Sequence, residues 1–217
     1  MLNIRLGDDP RDTLMSMQKL LIATKNPGKV AEFADMMADL DVEWLSLADV
    51  GITADVEENG TTFSENAWLK AEAYSQMAGI ITLADDSGLE VDALDGAPGL
   101  YTARYGGSEL SHEQRYQLLL QNIADVALAQ RSARFRCVIA VADGRGQRLT
   151  EAEGICEGYI ALAPAGAHGF GYDPVFVPEG QGGLTMAQLL PEQKHPISHR
   201  GRAIAKLAPE LHRLLGQ

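Results

Sequence analysis

The sequence predicts an α/β fold built on a mixed β-sheet, and three features of the chain carry that prediction. Apolar runs of strand length alternate with helical patterns through the first half of the chain. Two longer strand-like runs, 133–142 and 148–162, then follow each other with a short turn between them. Strand–helix alternation favours parallel pairing, while adjacent long strands joined by a turn pair antiparallel, so one sheet is expected to contain both. Third, 46% hydrophobic and 22% charged residues over 217 positions is an ordinary globular composition, on a chain long enough for a substantial core.

Residues 1–17 stand apart. Gly7-Asp8-Asp9-Pro10-Arg11-Asp12 is acidic and turn-rich, and the stretch lacks the basic and apolar regions of a signal peptide. It is expected to be a poorly ordered extension, with Met15 or Met17 as an alternative start, and 18–217 to form one domain. Residues 19–24 read as the first strand. A helix over 29–39 places Val30, Phe33, Met36, Met37 and Leu40 at helical spacing, with Pro27 suited to its first turn. A short strand over 42–47 and an acidic loop, Asp55 to Gly60, precede a helix over 62–78, where Thr62 and Glu65 fit a capping box.

The apolar run Ala78 to Ala84 predicts a buried strand ending at Asp85-Asp86-Ser87-Gly88, a turn-favouring composition, with another short strand over 89–93. Gly96 to Gly107 reads as a glycine-rich loop, and a helix over 111–129 starts from the N-cap Ser111. Asp143-Gly144-Arg145-Gly146 is a hairpin signal between the two long strands. A loop over 163–174, a short strand over 175–177, a short helix over 185–189 and a last helix over 201–215 complete the chain.

The formal charge of −12 argues against a sequence-independent grip on nucleic acid, which needs a basic face. A small phosphorylated ligand needs only a few local cations and a metal. No apolar stretch approaches the roughly 20 residues of a membrane span. Cys137 and Cys156 form no Cys-x-x-Cys pair, so they are expected to be buried, reduced thiols.

Five stretches could carry chemistry. Thr24-Lys25-Asn26-Pro27-Gly28-Lys29 joins a strand to a helix, so helix N-terminal amides and two lysines offer an anion site; Ala23 and Val30 rule out a Walker A loop. A solvated helix cap is the plainer reading. Asp85-Asp86 and Glu57-Glu58 could meet at one hard divalent cation, since Mg²⁺ is usually held by one or two carboxylates plus substrate phosphates; solvated charge runs are the alternative. Gly169-Phe170-Gly171-Tyr172-Asp173 places aromatics among glycines, where a base could stack or a structural loop could bury them. Lys194 to Gly201 gathers Lys194, His195, His199 and Arg200 before a helix. Pro196 between the histidines excludes a His-Glu-x-x-His zinc helix, and phosphate or base-edge contacts fit better.

Taken in order, Thr24 to Lys29, Thr62 to Ala67 with Lys70, Ala84 to Gly88, Gly96 to Gly99 with Ala103 to Tyr105, Gly169 to Pro174 and Ile197 to Gly201 resemble the inosine triphosphatase (Ham1-like) family, over roughly 18–215 and in its bacterial form. The resemblance implies an elongated mixed sheet flanked by helices, with two lobes around a central nucleotide cleft. It implies a cytoplasmic, Mg²⁺-dependent homodimer that hydrolyses inosine, deoxyinosine or xanthosine triphosphate to the monophosphate and pyrophosphate. Asp86 matches the family's proton acceptor and a metal ligand, and Glu58 a second metal carboxylate, with Glu57 its less certain neighbour. Thr24, Lys25, Asn26, Pro27, Gly28, Lys29, Lys70 and Ser87 match triphosphate contacts. Phe170, Gly171, Tyr172, Asp173, Lys194, His199 and Arg200 match nucleoside contacts, with donors of His199 and Arg200 meeting the oxygen at C6 of the purine. A Maf-like pyrophosphatase of other nucleotide preference is disfavoured by the loops at 169–174 and 197–201. A nucleotide sensor without turnover is disfavoured by Glu58, Asp85, Asp86 and Lys29.

Deleting residues 1–16, which hold little apolar surface to bury, should leave Tm and activity nearly unchanged. A drop of several degrees in a thermal melt would show that the segment docks.

Overall fold

The computed structural model describes residues 17–217; the extension expected at 1–17 therefore lies, apart from Met17, outside the described residues. Six strands form one mixed sheet in the order β2-β1-β3-β4-β5-β6. β1 (Gln18–Ile22) pairs parallel with β2 (Val42–Ser46) and with β3 (Ile81–Val91). β4 (Ser132–Ala142), β5 (Arg148–Ile160) and β6 (Phe176–Pro178) continue the sheet antiparallel from β3. The hairpin predicted at 143–146 joins β4 to β5, closed by Asp143 N–H on Gln147 O (2.9 Å) and Gly146 N–H on Asp143 O (2.9 Å).

The helices cover both faces. α1 (Pro27–Met36) and α5 (His199–Leu215) bury Phe33, Ala203, Ile204 and Leu207 against Leu20, Leu83 and Ile139. α2 (Phe63–Ala78) buries Ala67, Trp68 and Tyr74 against Leu21, Ala84 and Val138 on the opposite face. α3 (His112–Asn122) closes a third core around Leu89, Phe135 and Phe176 at the other end of the sheet. α4 (Pro191–Lys194) is a single turn that the sequence reading left out. No helix of the described residues is long and apolar enough to cross a membrane.

Several boundaries differ from expectation for identifiable reasons. α3 stops at Asn122, short of 129, because the buried Arg131 guanidinium collects the carbonyls that a longer helix would use, donating to Ile123 O (2.9 Å), Ala124 O (3.4 Å) and Val126 O (2.9 Å). α5 begins at His199, two residues early, because Ser198 caps it through Gly201 N–H (3.0 Å). The short helix at 185–189 is a 3₁₀ turn, Met186–Gln188. At α2 only half the capping box forms: Thr62 Oγ1 accepts from Glu65 N–H (3.1 Å), while the Glu65 carboxylate takes Thr61 N–H (2.6 Å) instead of Thr62.

The largest correction concerns Asp85-Asp86-Ser87-Gly88, which is not a strand end. β3 runs unbroken through it for 11 residues, joining the two short strands expected on either side. Asp85 pairs with Ile139 and Asp86 with Val138 in the centre of the β3–β4 ladder. Turn propensity yields because each carboxylate meets a cation on its own face of the sheet, and β-propensity depends on such context.

Gly88 has a steric role in this strand. A Cβ there would lie 2.3 Å from Gly99 O and 2.8 Å from Thr102 Oγ1, because the 3₁₀ turn Gly99–Arg104 docks on β3 through Thr102. The Thr102 hydroxyl accepts from Leu89 N–H (2.8 Å) and donates to Gly99 O (2.6 Å). Gly88→Ala should therefore cost about 1–3 kcal/mol, the range for overpacking. The check is the denaturation midpoint, which should fall with the slope unchanged.

Candidate functional site

The end of β1, the middle of β3, the N-termini of α1 and α5 and the loops at 53–58 and 169–173 converge on one cleft of about 380 Å³. That size suits a small ligand. Of the residues matched to triphosphate, nucleoside or metal contacts, all but Pro27, Gly28 and the less certain Glu57 line it, while Asp85 and His195 do not. Gly28 still shapes it: a Cβ there would come within 2.8 Å of the Phe170 ring, so the missing side chain lets that ring close over the start of α1.

The α1 N-terminus is already capped from within. Asn26 Oδ1 accepts from Gly28 N–H (2.9 Å) and Lys29 N–H (3.4 Å), and Asn26 N–H turns to Thr24 Oγ1 (3.2 Å). The anion-binding capacity of this loop therefore rests on side chains more than on free amides. Lys29 Nζ bridges to Asp85 Oδ2 (2.8 Å), and Lys25 Nζ turns to Asp55 Oδ1 (2.5 Å) and Thr53 O (3.1 Å).

Strand alternation separates the two aspartates. Asp85 faces α1 and α5 and does not line the cleft; its Oδ2 accepts from Lys29, from Arg200 Nη2 (3.0 Å) and from Ser87 Oγ (3.2 Å). Burial alone would raise the Asp85 carboxyl, but Lys29, Arg200 and Lys70 outweigh it and hold it far below its ordinary value. Asp86 faces α2 and lines the cleft, accepting from Lys70 Nζ (3.3 Å) and Asn66 Nδ2 (3.2 Å). Glu58 bonds the same Lys70 ammonium at 3.1 Å and lines the cleft, while Glu57 is exposed. Burial pushes Asp86 up, Lys70 opposes this, and Glu58 adds to the rise. Lys70, which burial alone would lower, is raised by Asp86, Asp85 and Glu58. One lysine thus neutralises a cluster carrying an excess of negative charge.

The other wall holds a buried chain of ion pairs. Asp173 Oδ2 accepts from Phe170 N–H (3.0 Å) and from Lys194 Nζ (2.7 Å). Lys194 also bonds Glu32 Oε1 (2.8 Å), Glu32 bonds Arg200 Nη1, and Arg200 reaches Asp85. Asp173 and Lys194 therefore organise the loop. Tyr172 is buried too, its hydroxyl on Thr102 O (3.2 Å), which leaves Phe170 as the partly exposed ring beside Gly171. His199 is buried and stacks on Phe135 at 4.7 Å and 13°. Burial and the nearby Arg200 and Lys194 charges drive its imidazole well below its ordinary value, so it is neutral at neutral pH. Its Nδ1 and Arg200 Nε are buried without a partner among the described residues, and both residues line the cleft.

Glu32 was missed from sequence. It sits one turn after Lys29 on α1 and does not line the cleft, so neither a motif nor a charge run marked it. The available signal was an acidic side chain on the helix face that also carries Lys29, since residues three apart are neighbours.

A model of the Ham1 family matches residues 20–210. A dITP/XTP pyrophosphatase of Geobacillus kaustophilus is 50% identical over 202 residues, covering 92% of this chain and 97% of that protein. A protein of the same description from Oceanobacillus iheyensis is 47% identical over 197 residues, covering 90% and 99%. Among solved structures, a HAM1 protein from Coxiella burnetii superposes with a TM-score of 0.82 at 37% identity, over 91% of this chain and 100% of that one.

Glu32 makes a direct test of the ion-pair chain. Burial would raise its carboxyl, but Arg200 and Lys194 prevail and hold it below its ordinary 4.5. A depressed carboxyl stabilises the fold fully above about that value and loses its contribution as pH falls through the folded-state pKa. Glu32→Gln should cost about 3–5 kcal/mol at neutral pH, because it leaves buried cations uncompensated. The loss relative to wild type should shrink in denaturant melts taken progressively below pH 4.5.

Proposed function

The chain belongs to the Ham1 family, and from that premise we propose that it hydrolyses inosine, deoxyinosine and xanthosine triphosphates to the monophosphate and pyrophosphate. The observation that carries this reading is a single cleft that joins the Glu58–Lys70–Asp86 cluster to a wall of Phe170, His199 and Arg200. The first suits phosphoryl chemistry and the second suits a planar base. The dITP/XTP pyrophosphatase description of the relatives supports the same substrate class.

In this reading water attacks the α-phosphorus and pyrophosphate leaves. Asp86 takes the proton of the attacking water; a proton affinity raised by burial makes it a better base. Lys70, and Lys29 at the start of α1, neutralise charge on the phosphoryl oxygens. Thr24 and Asn26 supply further donors to the triphosphate, and Ser87 lines the cleft with its hydroxyl proton on Asp85. Asp85 holds Lys29 and Arg200 in place.

Mg²⁺ fits this donor set. Among the described residues no group of three or more His, Cys, Asp or Glu side chains forms a metal cage. Two carboxylates sharing one lysine leave an excess negative charge, which is what an ion completed by substrate phosphates and water requires. Glu58 and Asp86 are the residues to hold it, and when bound it supplies charge neutralisation at the phosphates. A homodimer and a cytoplasmic location follow from the resemblance alone; sedimentation of the purified chain tests the first.

The base is read at the buried wall. A neutral imidazole offers one donor and one acceptor, and His199 Nδ1 and Arg200 Nε still lack partners. An oxygen at C6 can accept from such donors, while the amino group of adenine leaves them unpaired, and such sites discriminate by up to about 10⁴-fold or more. Arg200 spends three of its five N–H donors on Glu32, Asp85 and Ser87, which leaves Nε–H and one Nη1–H for a ligand.

Pyrophosphate release across a nucleotide panel, with Mg²⁺ and with chelator, tests the proposal. Inosine and xanthosine triphosphates should be cleaved, ATP poorly, and chelator should abolish the signal. Asp86→Asn should fold normally and lose about 10²–10⁴ in kcat; near-normal turnover would remove Asp86 from the chemistry. His199→Ala should narrow the preference for inosine triphosphate over ATP by about tenfold, the worth of one unpaired buried donor. Equal losses on both substrates would remove it from base reading.

A further inference from the structure

The segment 53–60 carries Glu58 and is built almost without main-chain support. Among the described residues none of its main-chain groups hydrogen-bonds another main-chain group. It enters from Ile52, packed on the α2 face of the core, and leaves at Gly60, whose N–H donates to Asn66 Oδ1 (2.8 Å). Between those points side chains hold its backbone. Tyr74, buried on α2, donates its hydroxyl to Ala54 O (3.2 Å), and Lys25 donates to Thr53 O (3.1 Å) and Asp55 Oδ1 (2.5 Å). Asp55 is 85% exposed on its side chain, so without Lys25 it would simply face water.

We propose that Lys25 is a positioning residue and not a triphosphate ligand. It ties residues 53–55 to the β1–α1 loop and so fixes where Glu58 presents its carboxylate to Lys70 and Asp86. Three observations carry this. Lys25 Nζ is committed to two oxygens of one segment. Its partner Asp55 lies three residues before Glu58. And Lys29, in the first turn of the helix this loop enters, bonds Asp85 on β3, so the loop and the start of α1 brace the carboxylate strand and the Glu58 segment together. The kinetic consequence rests on the function proposed above; the tether itself does not.

Asp55→Asn separates the two roles for Lys25, because they predict opposite outcomes. A phosphate ligand would be freed by that change, and an anion beside the triphosphate would be removed, so KM should fall with kcat held. A tether would be loosened, so kcat should fall with KM little changed. Cleavage after Glu57 and Glu58 by a glutamate-specific protease, mapped by mass spectrometry, is measured in the metal-free, nucleotide-free protein for wild type, Lys25→Met and Asp55→Asn. We expect cleavage there about two- to five-fold faster in both variants, the effect of losing a half-exposed ion pair, and unchanged amide exchange in α2 and β3. The double variant should be cleaved no faster than either single one, and the reversed pair Lys25→Asp with Asp55→Lys should restore both the cleavage rate and kcat. Unchanged cleavage at 57–58, or a lower KM in Asp55→Asn with kcat intact, overturns the tether. If the wild type itself releases no pyrophosphate, the proposed function fails, and the cleavage measurement still decides the tether.

Discussion

The structure depends on a run of alternating charges buried beneath the cleft. Asp173, Lys194, Glu32, Arg200, Asp85 and Lys29 follow one another in contact, three acids and three bases. Desolvating any one alone would cost several kcal/mol, and their mutual pairing is what makes burial tolerable. The members come from the 169–173 loop, α4, α1, α5 and β3, so satisfying the charges also fixes how those pieces sit. Hydrophobic packing of Phe33, Ile204 and Leu207 against Leu83 and Ile139 supplies burial without direction. The ion pairs supply the direction.

On β3 that constraint meets the period-2 geometry of a strand. Consecutive side chains leave opposite faces of the sheet, so two adjacent aspartates acquire opposite environments without any change of backbone. Asp85 is enclosed by Lys29 and Arg200 and is kept ionised. Asp86, one residue on, shares Lys70 with Glu58 and has its proton affinity raised. Carboxylates pushed apart in this way can take separate roles, one holding structure and one free for proton transfer. A shift of register by one residue would exchange those roles, so the β3–β4 pairing is itself part of the site.

Much of this was legible in the chain. Strand–helix alternation and the 143–146 turn give the mixed sheet, and the stretches around Lys29, Asp86, Phe170 and Arg200 do meet at one cleft. What was not legible arises from distant partners. Asp85-Asp86-Ser87-Gly88 has turn composition, and only the cations on α1, α2 and α5 make it a strand interior. α3 ends early because of Arg131, a residue beyond its own predicted end. Glu32 has no motif around it, and its importance exists only once Lys194 and Arg200 are folded against α1. Local pattern reports periodicity and caps; it cannot report which charge another element will bring.

Arg200 joins the two walls to which the proposed function assigns base recognition and phosphate chemistry. Its guanidinium lies over the Phe33 ring at 5.6 Å, with one terminal nitrogen on Glu32 and the other on Asp85 and Ser87, so it spans the base-side wall and the strand that carries Asp86. Removing it would strip two buried carboxylates, Glu32 and Asp85, of one of their two cations each, and the fold would suffer before any change in base preference could be read. His199 differs. It is stacked on Phe135 and neutral, and it belongs to no ion pair among the described residues, so its truncation removes a ring and a hydrogen-bonding edge without stranding a charge. The residue that can report on base discrimination is therefore the uncharged neighbour of the arginine. In the function proposed above, the arginine's own contribution is to hold the wall that would take the base and the strand that carries Asp86 together through its bonds to Glu32 and Asp85.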